Sequence, residues 1–288
     1  MSIHLVNFAT HREDQGFHDL EPMQRRLIDS AKKFNFTSIT SWNRANLVKS
    51  GFYKKHQTVL DQSHGAGYWL WKPYIILEKF EELNDGDFLF YLDADRKIIA
   101  DPAPLFEICT RNNGILLFFE KDTTHTCKYW IKRDVFHFRN LDGAQYHHAP
   151  ITIGGIQLYQ KNEFSQEFLE KLLYWCTYNP SILTDEANIC GKPNLEGFIE
   201  HRHDQSILSI LRVKHGIEGY RIPTQYGDRH KIGTIRKTTD WLPEGKYSEN
   251  VFENSPYDTI LFHGRESNRL KYWIKYKTPS LMRYYFNK

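Results

Sequence analysis

The stretch Phe88-Leu89-Phe90-Tyr91-Leu92-Asp93-Ala94-Asp95 constrains the fold more than any other in the chain. A strand of a one-sided sheet alternates apolar and polar residues. One that is apolar at every position, as from Phe88 to Leu92, is covered on both faces, which requires a mostly parallel sheet with helices on either side. An α/β fold follows. The two carboxylates, one residue apart, then emerge at the C-terminal edge of that sheet, where open α/β sheets bind their ligands.

Carboxylates so placed are hard oxygen ligands suited to Mg²⁺ or Mn²⁺, which in turn bind the oxygens of a diphosphate; a nucleotide sugar is the simplest ligand of that kind. An acidic pair also ends strands as an ordinary loop cap, so the triplet alone leaves both readings open. The chain's 288 residues suffice for a sizeable core, and an aromatic content of 15%, with 17 Tyr and 7 Trp, provides flat rings that stack on sugars or bases. A balance of 38 basic and 35 acidic residues, net +3, argues against a dedicated nucleic-acid binder. Cys109, Cys127, Cys176 and Cys190 show no C-x-x-C spacing, and the N-terminus turns polar too soon for a signal peptide. The expectation is a cytoplasmic protein, soluble or peripheral on the inner face of a membrane.

Ile3 to Ala9 reads as the first strand, with Asn7 and Thr10 at its exit, placed for a nucleotide base or ribose or simply as turn polar groups. Pro22 opens a helix with Met23, Leu27, Ala31 and Phe34 on one face, and Thr37 to Trp42 is strand-like, a β-α-β beginning. Arg44 to Gln62 has no clear pattern. In His64-Gly65-Ala66-Gly67-Tyr68-Trp69-Leu70-Trp71-Lys72-Pro73 the glycines permit tight backbone and Pro73 sets the first turn of a helix with Ile76, Leu77, Phe80 and Leu83 inward. Lys72 beside that helix start is a candidate diphosphate contact, or a solvated lysine.

Gly67 to Pro73, Tyr91 to Asp95, Trp130-Ile131-Lys132-Arg133-Asp134 and His201-Arg202-His203-Asp204-Gln205-Ser206 together resemble bacterial capsular and surface-polysaccharide glycosyltransferases of the GT-A fold, over about Gly65 to His263. The resemblance implies a GT-A-like (Rossmann-type) α/β domain with a mostly parallel central sheet flanked by helices. It further implies that Asp93 and Asp95 hold a divalent metal, Mn²⁺ or Mg²⁺, and the nucleotide-sugar donor. Some members of the family carry Asp-Ala-Gly there, and this chain has the fuller ligand set. An Asp-Gln pair lies beside the anomeric carbon in retaining members, which would give Asp204 and Gln205 the reacting centre. In several such families a histidine near the C-terminal end returns to the metal, here His263 after the strand Asp258 to Phe262. The polar, histidine-rich segment from Lys121 to Pro150 corresponds to an excursion across the active-site mouth.

The residues themselves add further candidates and alternatives. Lys132 and Arg133 can neutralise phosphate or cap a helix. Gly154 and Gly155, at the head of the strand Ile153 to Tyr159, leave room for a donor phosphate or sugar at the backbone, or mark a bulge. Glu163 to Cys176 has the spacing of a core helix. Asp204 sits at or near a helix start, where it can instead be an N-cap; the His-x-His-Asp string suggests a metal site for which the sequence supplies no further ligands in recognisable order.

The chain is expected to divide into a catalytic domain, 1–265, and a C-terminal helical extension, 266–288. Arg269 to Lys288 has six basic residues, six aromatic ones and no acid, which suits either packing on the domain or an anionic membrane surface carrying a lipid-linked acceptor. The functional expectation is transfer of a sugar from a nucleotide sugar to a glycan or glycolipid acceptor in polysaccharide biosynthesis, metal-dependent and with retention. Two alternatives are a sugar nucleotidyltransferase, for which no Gly-rich, Arg-containing N-terminal loop is present, and a non-catalytic carbohydrate-binding protein, which would not need Asp-x-Asp at a buried strand end.

Overall fold

A computed structural model describes residues 1–14, 16–119, 126–227 and 253–264. The tail and the extension proposed for 266–288 lie outside the described residues. The first half runs β1 (Ile3–Ala9), α1 (Glu21–Ala31), β2 (Ser38–Asn43), α2 (Arg44–Val48), α3 (Gly51–Leu60), a single turn α4 (Gly65–Tyr68), α5 (Trp71–Glu81), β3 (Phe88–Leu92) and β4 (Arg96–Ile98). There follow α6 (Ala103–Arg111), β5 (Ile115–Phe119), α7 (Cys127–Trp130), α8 (Arg133–Phe138), α9 (Ala144–His147), β6 (Ile156–Gln160), α10 (Glu163–Tyr178), α11 (His203–Lys214), β7 (Gly219–Arg221) and β8 (Leu261–His263).

Six strands form one sheet in the order β2-β1-β3-β6-β5-β7, parallel except that β6 runs against both its neighbours. All five residues of β3 are buried. Their alternation explains why: Leu89 and Tyr91 enter one core, against residues of α5, α10 and α11, while Phe88, Phe90 and Leu92 enter the other, against residues of α1 and α6. Burying each such side chain contributes about 1.5–3 kcal/mol, so a polar residue within β3 would be costly whichever way it pointed. The helical faces behave as their periodicity predicts, with Leu27 and Ala31 of α1, Ile76, Leu77 and Phe80 of α5, and Phe168, Leu169 and Leu172 of α10 all buried.

Three boundaries differ from expectation. The region without a clear pattern, Arg44 to Gln62, is two short helices, each begun by a side-chain cap, Asn43 for α2 and Ser50 for α3. β6 begins at Ile156, so Gly154 and Gly155 precede the strand. The last strand, β8, is only three residues long and leaves the main sheet to pair antiparallel with β4, matching Arg96 with His263.

The chain turns from β1 to β2 on one side and to β3 on the other, so the crevice between the C-terminal ends of β1 and β3 is a topological switch point. Because β6 is antiparallel, its N-terminal end lies at that same edge, where the Asp93 N–H donates to Gly155 O at 3.0 Å. The starts of α5 and α11 arrive there too, as the contacts of Lys72 and Asp204 below show.

Candidate active site

Asp93 continues the alternation of β3 and faces the same side as Tyr91, whose hydroxyl donates to Asp93 Oδ1 at 2.5 Å. Lys72, in the first turn of α5, reaches the same carboxylate at 3.6 Å and Asp204, in the first turn of α11, at 3.2 Å. Lys72 is 3% exposed, so its ammonium bridges buried Asp204 and half-buried Asp93 from beneath the surface. Burial opposes its charge, but Asp204 and Asp93 outweigh burial and raise its pKa. Burial pushes the Asp204 carboxyl up to about 6, with Lys72 opposing and Asp93 adding to the rise. The sequence placed Lys72 against a diphosphate; in the structure its partners are carboxylates.

Asp204 is not the cap of α11. The N-cap position is Arg202, with no side-chain cap bond, and Asp204 lies inside the first turn, where an acid is favourable but its side chain is spent on Lys72. Gln205 lines the same cleft, a space of about 350 Å³ whose walls also include His64, Trp69, Lys72, Asp93, Gly155, Asp185 and His203.

Gly154 and Gly155 leave space as expected, but this chain's own side chains fill it. A Cβ on Gly155 would stand 2.3 Å from Asp93 Oδ2 and 2.9 Å from Arg96 Nη2; one on Gly154 would meet Gln205 Cβ at 3.2 Å and Asp204 Oδ2 at 3.5 Å. The glycines thus allow the carboxylates of Asp93, after β3, and Asp204, on α11, to come together.

Asp95 turns away from this group. Its Oδ2 lies 3.1 Å from His263 Nε2, and its Oδ1 accepts from the Arg96 guanidinium. Burial favours the neutral acid, yet the hydrogen bond from His263 and the charges of Arg96, His263 and Arg26 prevail and hold Asp95 well below the usual carboxylate range. The expected ligand set Asp93, Asp95 and His263 is therefore only partly assembled: Asp95 and His263 meet, whereas Asp93 faces Lys72 and Tyr91. Asp95 Oδ2 and His263 Nε2 stand at hydrogen-bonding distance, and the same two atoms offer a carboxylate oxygen and an imidazole nitrogen, donor types that a divalent cation accepts.

Asn7 and Thr10 do internal work. Asn7 lies within β1 rather than at its exit, fully buried, with its oxygen accepting from Gln24 Nε2 at 2.7 Å and its nitrogen donating to Ser41 Oγ at 3.1 Å. Thr10 is 4% exposed and its hydroxyl donates to His18 O. Lys132 and Arg133 are also structural: Lys132 Nζ donates to Ser181 O at 2.7 Å and Glu186 O at 2.5 Å, and Arg133 pairs with Asp142 at 2.9 Å. None of the described residues between 126 and 150 lines the cleft; α7 and α8 pack on α11 instead.

Several site residues were not singled out from the sequence. Tyr91 was legible in principle, since a residue two before Asp93 in a strand shares its face. Arg96 adjoins Asp95 in the chain. His64 and Asp185 are 121 residues apart and carry no local signal, yet His64 Nδ1 lies 2.8 Å from Asp185 Oδ2.

The wall carrying His64 is unusual in its backbone. Gly65, Ala66, Gly67, Tyr68 and Trp69 all have positive φ, from 51° to 97°. A left-handed turn costs about 1–2 kcal/mol for each L residue, and three of the five are not glycine. The turn presents Tyr68 and Trp69 to the His203 imidazole, with ring centroids 5.0 and 5.4 Å away. His203 itself has φ 49°. Such strain persists only where the surroundings over-determine it, and it collects at functional sites.

No protein-family model and no curated protein matches the chain. Solved structures do. Mouse xyloside xylosyltransferase 1 in its apo form aligns over 92% of this chain and 98% of its own at 12% identity, with a TM-score of 0.46. The galactosyltransferase LgtC with donor and acceptor sugar analogues aligns over 97% and 99% at 13% identity, with a TM-score of 0.45. Apo WbbM, a bifunctional glycosyltransferase, aligns over all of this chain and 52% of its own at 12% identity, with a TM-score of 0.50. At these identities the likeness is one of fold, and the fold is the mixed α/β GT-A type that the sequence motifs implied.

Proposed function

We propose that the chain is a glycosyltransferase, moving a sugar from a nucleotide-sugar donor to a glycan or glycolipid acceptor of surface-polysaccharide type. The observation that carries this reading is the triad of buried Lys72, buried Asp204 and half-buried Asp93 at the switch point of the sheet, beside the Asp95–His263 pair. The fold shared with WbbM supports it by analogy.

Asp95 and His263, joined by Asp93 on rotation, would hold Mn²⁺ or Mg²⁺, which supplies positive charge to the departing diphosphate. The chain's own contribution is electrostatic. Asp204 is buried and ionised above about pH 6, so its negative charge favours the positive charge that develops at the anomeric carbon as the glycosidic bond loosens. Lys72 fixes that carboxylate from behind, and Tyr91 fixes Asp93. The Gln205 amide, on the same cleft wall, supplies a neutral hydrogen-bonding group to the sugar or its acceptor. Retention at the anomeric carbon belongs to this proposal.

Incubation with a panel of nucleotide sugars, with and without chelator, tests it. Release of nucleoside diphosphate from one donor, abolished by chelator and by Asp95→Asn with the fold intact, is the expected result. Release of pyrophosphate from a nucleoside triphosphate and a sugar phosphate would point to a nucleotidyltransferase, and full turnover in excess chelator would refute the metal.

A further inference from the structure

The His-x-His-Asp string of α11 acquires partners in the tertiary structure that the sequence could not supply. Among the described residues, His64, Asp185 and His203 bring one ligand atom each to within 4.8 Å of one another. His64 Nδ1 stands 2.8 Å from Asp185 Oδ2, and His203 Nε2 stands 3.8 Å from Asp185 Oδ1. The two contacts run to different oxygens of Asp185, one shorter and one longer than the roughly 3.3–3.6 Å between ligands of a tetrahedral ion with bonds of about 2.0–2.2 Å, and rotation of the half-exposed Asp185 and His64 side chains would bring all three to that spacing.

The second observation concerns the other nitrogen of His203. Its Nδ1 lies 2.8 Å from Leu183 O, and a carbonyl only accepts, so Nδ1 carries the proton and Nε2 presents its lone pair toward Asp185. A backbone carbonyl on the far nitrogen is the arrangement that orients metal-bound histidines. The ring is further fixed between Trp69 and His64, at 5.4 and 4.7 Å between centroids, and the left-handed turn from Gly65 to Trp69 sets both of those neighbours. His201 differs: its Nε2 lies 2.9 Å from Ile182 O and its Nδ1 is occupied by Lys132 N–H and Ser206, so it is a core residue with no ligand role.

We propose that His64, Asp185 and His203 form a metal site separate from the Asp95–His263 pair, taking Zn²⁺ or a chemically similar divalent transition ion. Two imidazoles and one carboxylate favour Zn²⁺ over Mg²⁺, which prefers oxygen alone. Three protein ligands leave a fourth position, as in zinc sites that bind an exogenous oxygen. All three residues line the cleft that also holds Asp204, so that position is available to an oxygen of the molecule occupying it.

The test is direct metal binding by the full 288-residue chain, independent of turnover. Metal-free protein is titrated with Co²⁺, read by the visible absorption of four-coordinate cobalt, and Zn²⁺ is then used to displace it. The expected result is one equivalent of four-coordinate cobalt in the wild type and in Asp95→Asn, whatever further Co²⁺ the Asp95–His263 pair takes without that absorption. Because His64 and Asp185 are about half exposed, His64→Ala and Asp185→Asn should remain folded by circular dichroism. Each should lose more than about 100-fold in affinity, beyond the 10–100-fold that follows loss of an outer partner. No four-coordinate cobalt in the wild type, or equal affinity in wild type and both folded variants, would overturn the site. Loss of the signal in Asp95→Asn but not in His64→Ala would overturn it equally, by moving the ion to the other pair.

Discussion

Replacing Lys72 with methionine isolates the electrostatics of the candidate site, because methionine keeps most of the apolar stem and removes only the charge. At an effective dielectric of about 20, charges 3.2 and 3.6 Å apart attract by roughly 5 kcal/mol per pair. Desolvation of the buried ammonium offsets much of this in the wild type, and Asp93, about a third exposed, is partly screened. Removing one member of a buried pair leaves the other without compensation, at a cost of about 3–5 kcal/mol. For a chain of this size that corresponds to a fall in Tm of about 5–8 °C at pH 8. The pH dependence distinguishes charge from packing. Asp204 titrates above its unfolded value, so its contribution to stability is present when it is protonated and is lost as pH rises through about 6 in the wild type. Without Lys72 its pKa moves higher still, and ionisation at pH 8 carries the full penalty. The gap in Tm between wild type and Lys72→Met should therefore narrow from pH 8 to pH 5. The double variant Lys72→Met/Asp204→Asn should regain most of the loss at pH 8. Scanning calorimetry of the three proteins at both pH values decides the matter. An equal Tm loss at pH 5 and pH 8, or a double variant that loses the sum of the single changes, would refute the ion-pair argument.

Asp204→Asn should lower kcat by about 10²–10³ with little change in donor affinity, and should remove the acid limb near pH 6 expected of the wild-type rate profile as the carboxyl ionises; steady-state rates from pH 5 to 8 measure both. Gly155→Ala places a Cβ 2.3 Å from Asp93 Oδ2, which should displace that carboxylate and reduce turnover while costing about 1–3 kcal/mol in chemical denaturation. Gly67→Ala meets Leu60 Cα at 2.5 Å and must hold φ near 97°, so it should destabilise by more than about 1 kcal/mol, read as a lower denaturation midpoint at unchanged slope.

The local sequence determined the central strand and much of its helical cover. β3 was legible because burial on both faces leaves five consecutive apolar residues, and α1, α5 and α10 were legible because period 3.6 places Leu27 with Ala31, Ile76 with Phe80, and Phe168 with Leu172. These signals depend on neighbours a few positions away. Asp93 drew attention for the same reason, standing at the end of a regular strand, whereas Asp204 was proposed for the reacting centre from the family resemblance, its helix start alone suggesting a cap. What Lys72 touches was decided elsewhere, by how α5 and α11 converge on the edge of β3. So was the fate of Asn7, whose amide is consumed by Gln24 of α1 and Ser41 of β2, and the departure of β8 from the main sheet to pair with β4. The meeting of His64 with Asp185 across 121 residues has no local trace at all. Periodicity records which face of an element is apolar, but a charge or a lone pair acquires its partner only when separate elements pack, and that choice is made by tertiary geometry.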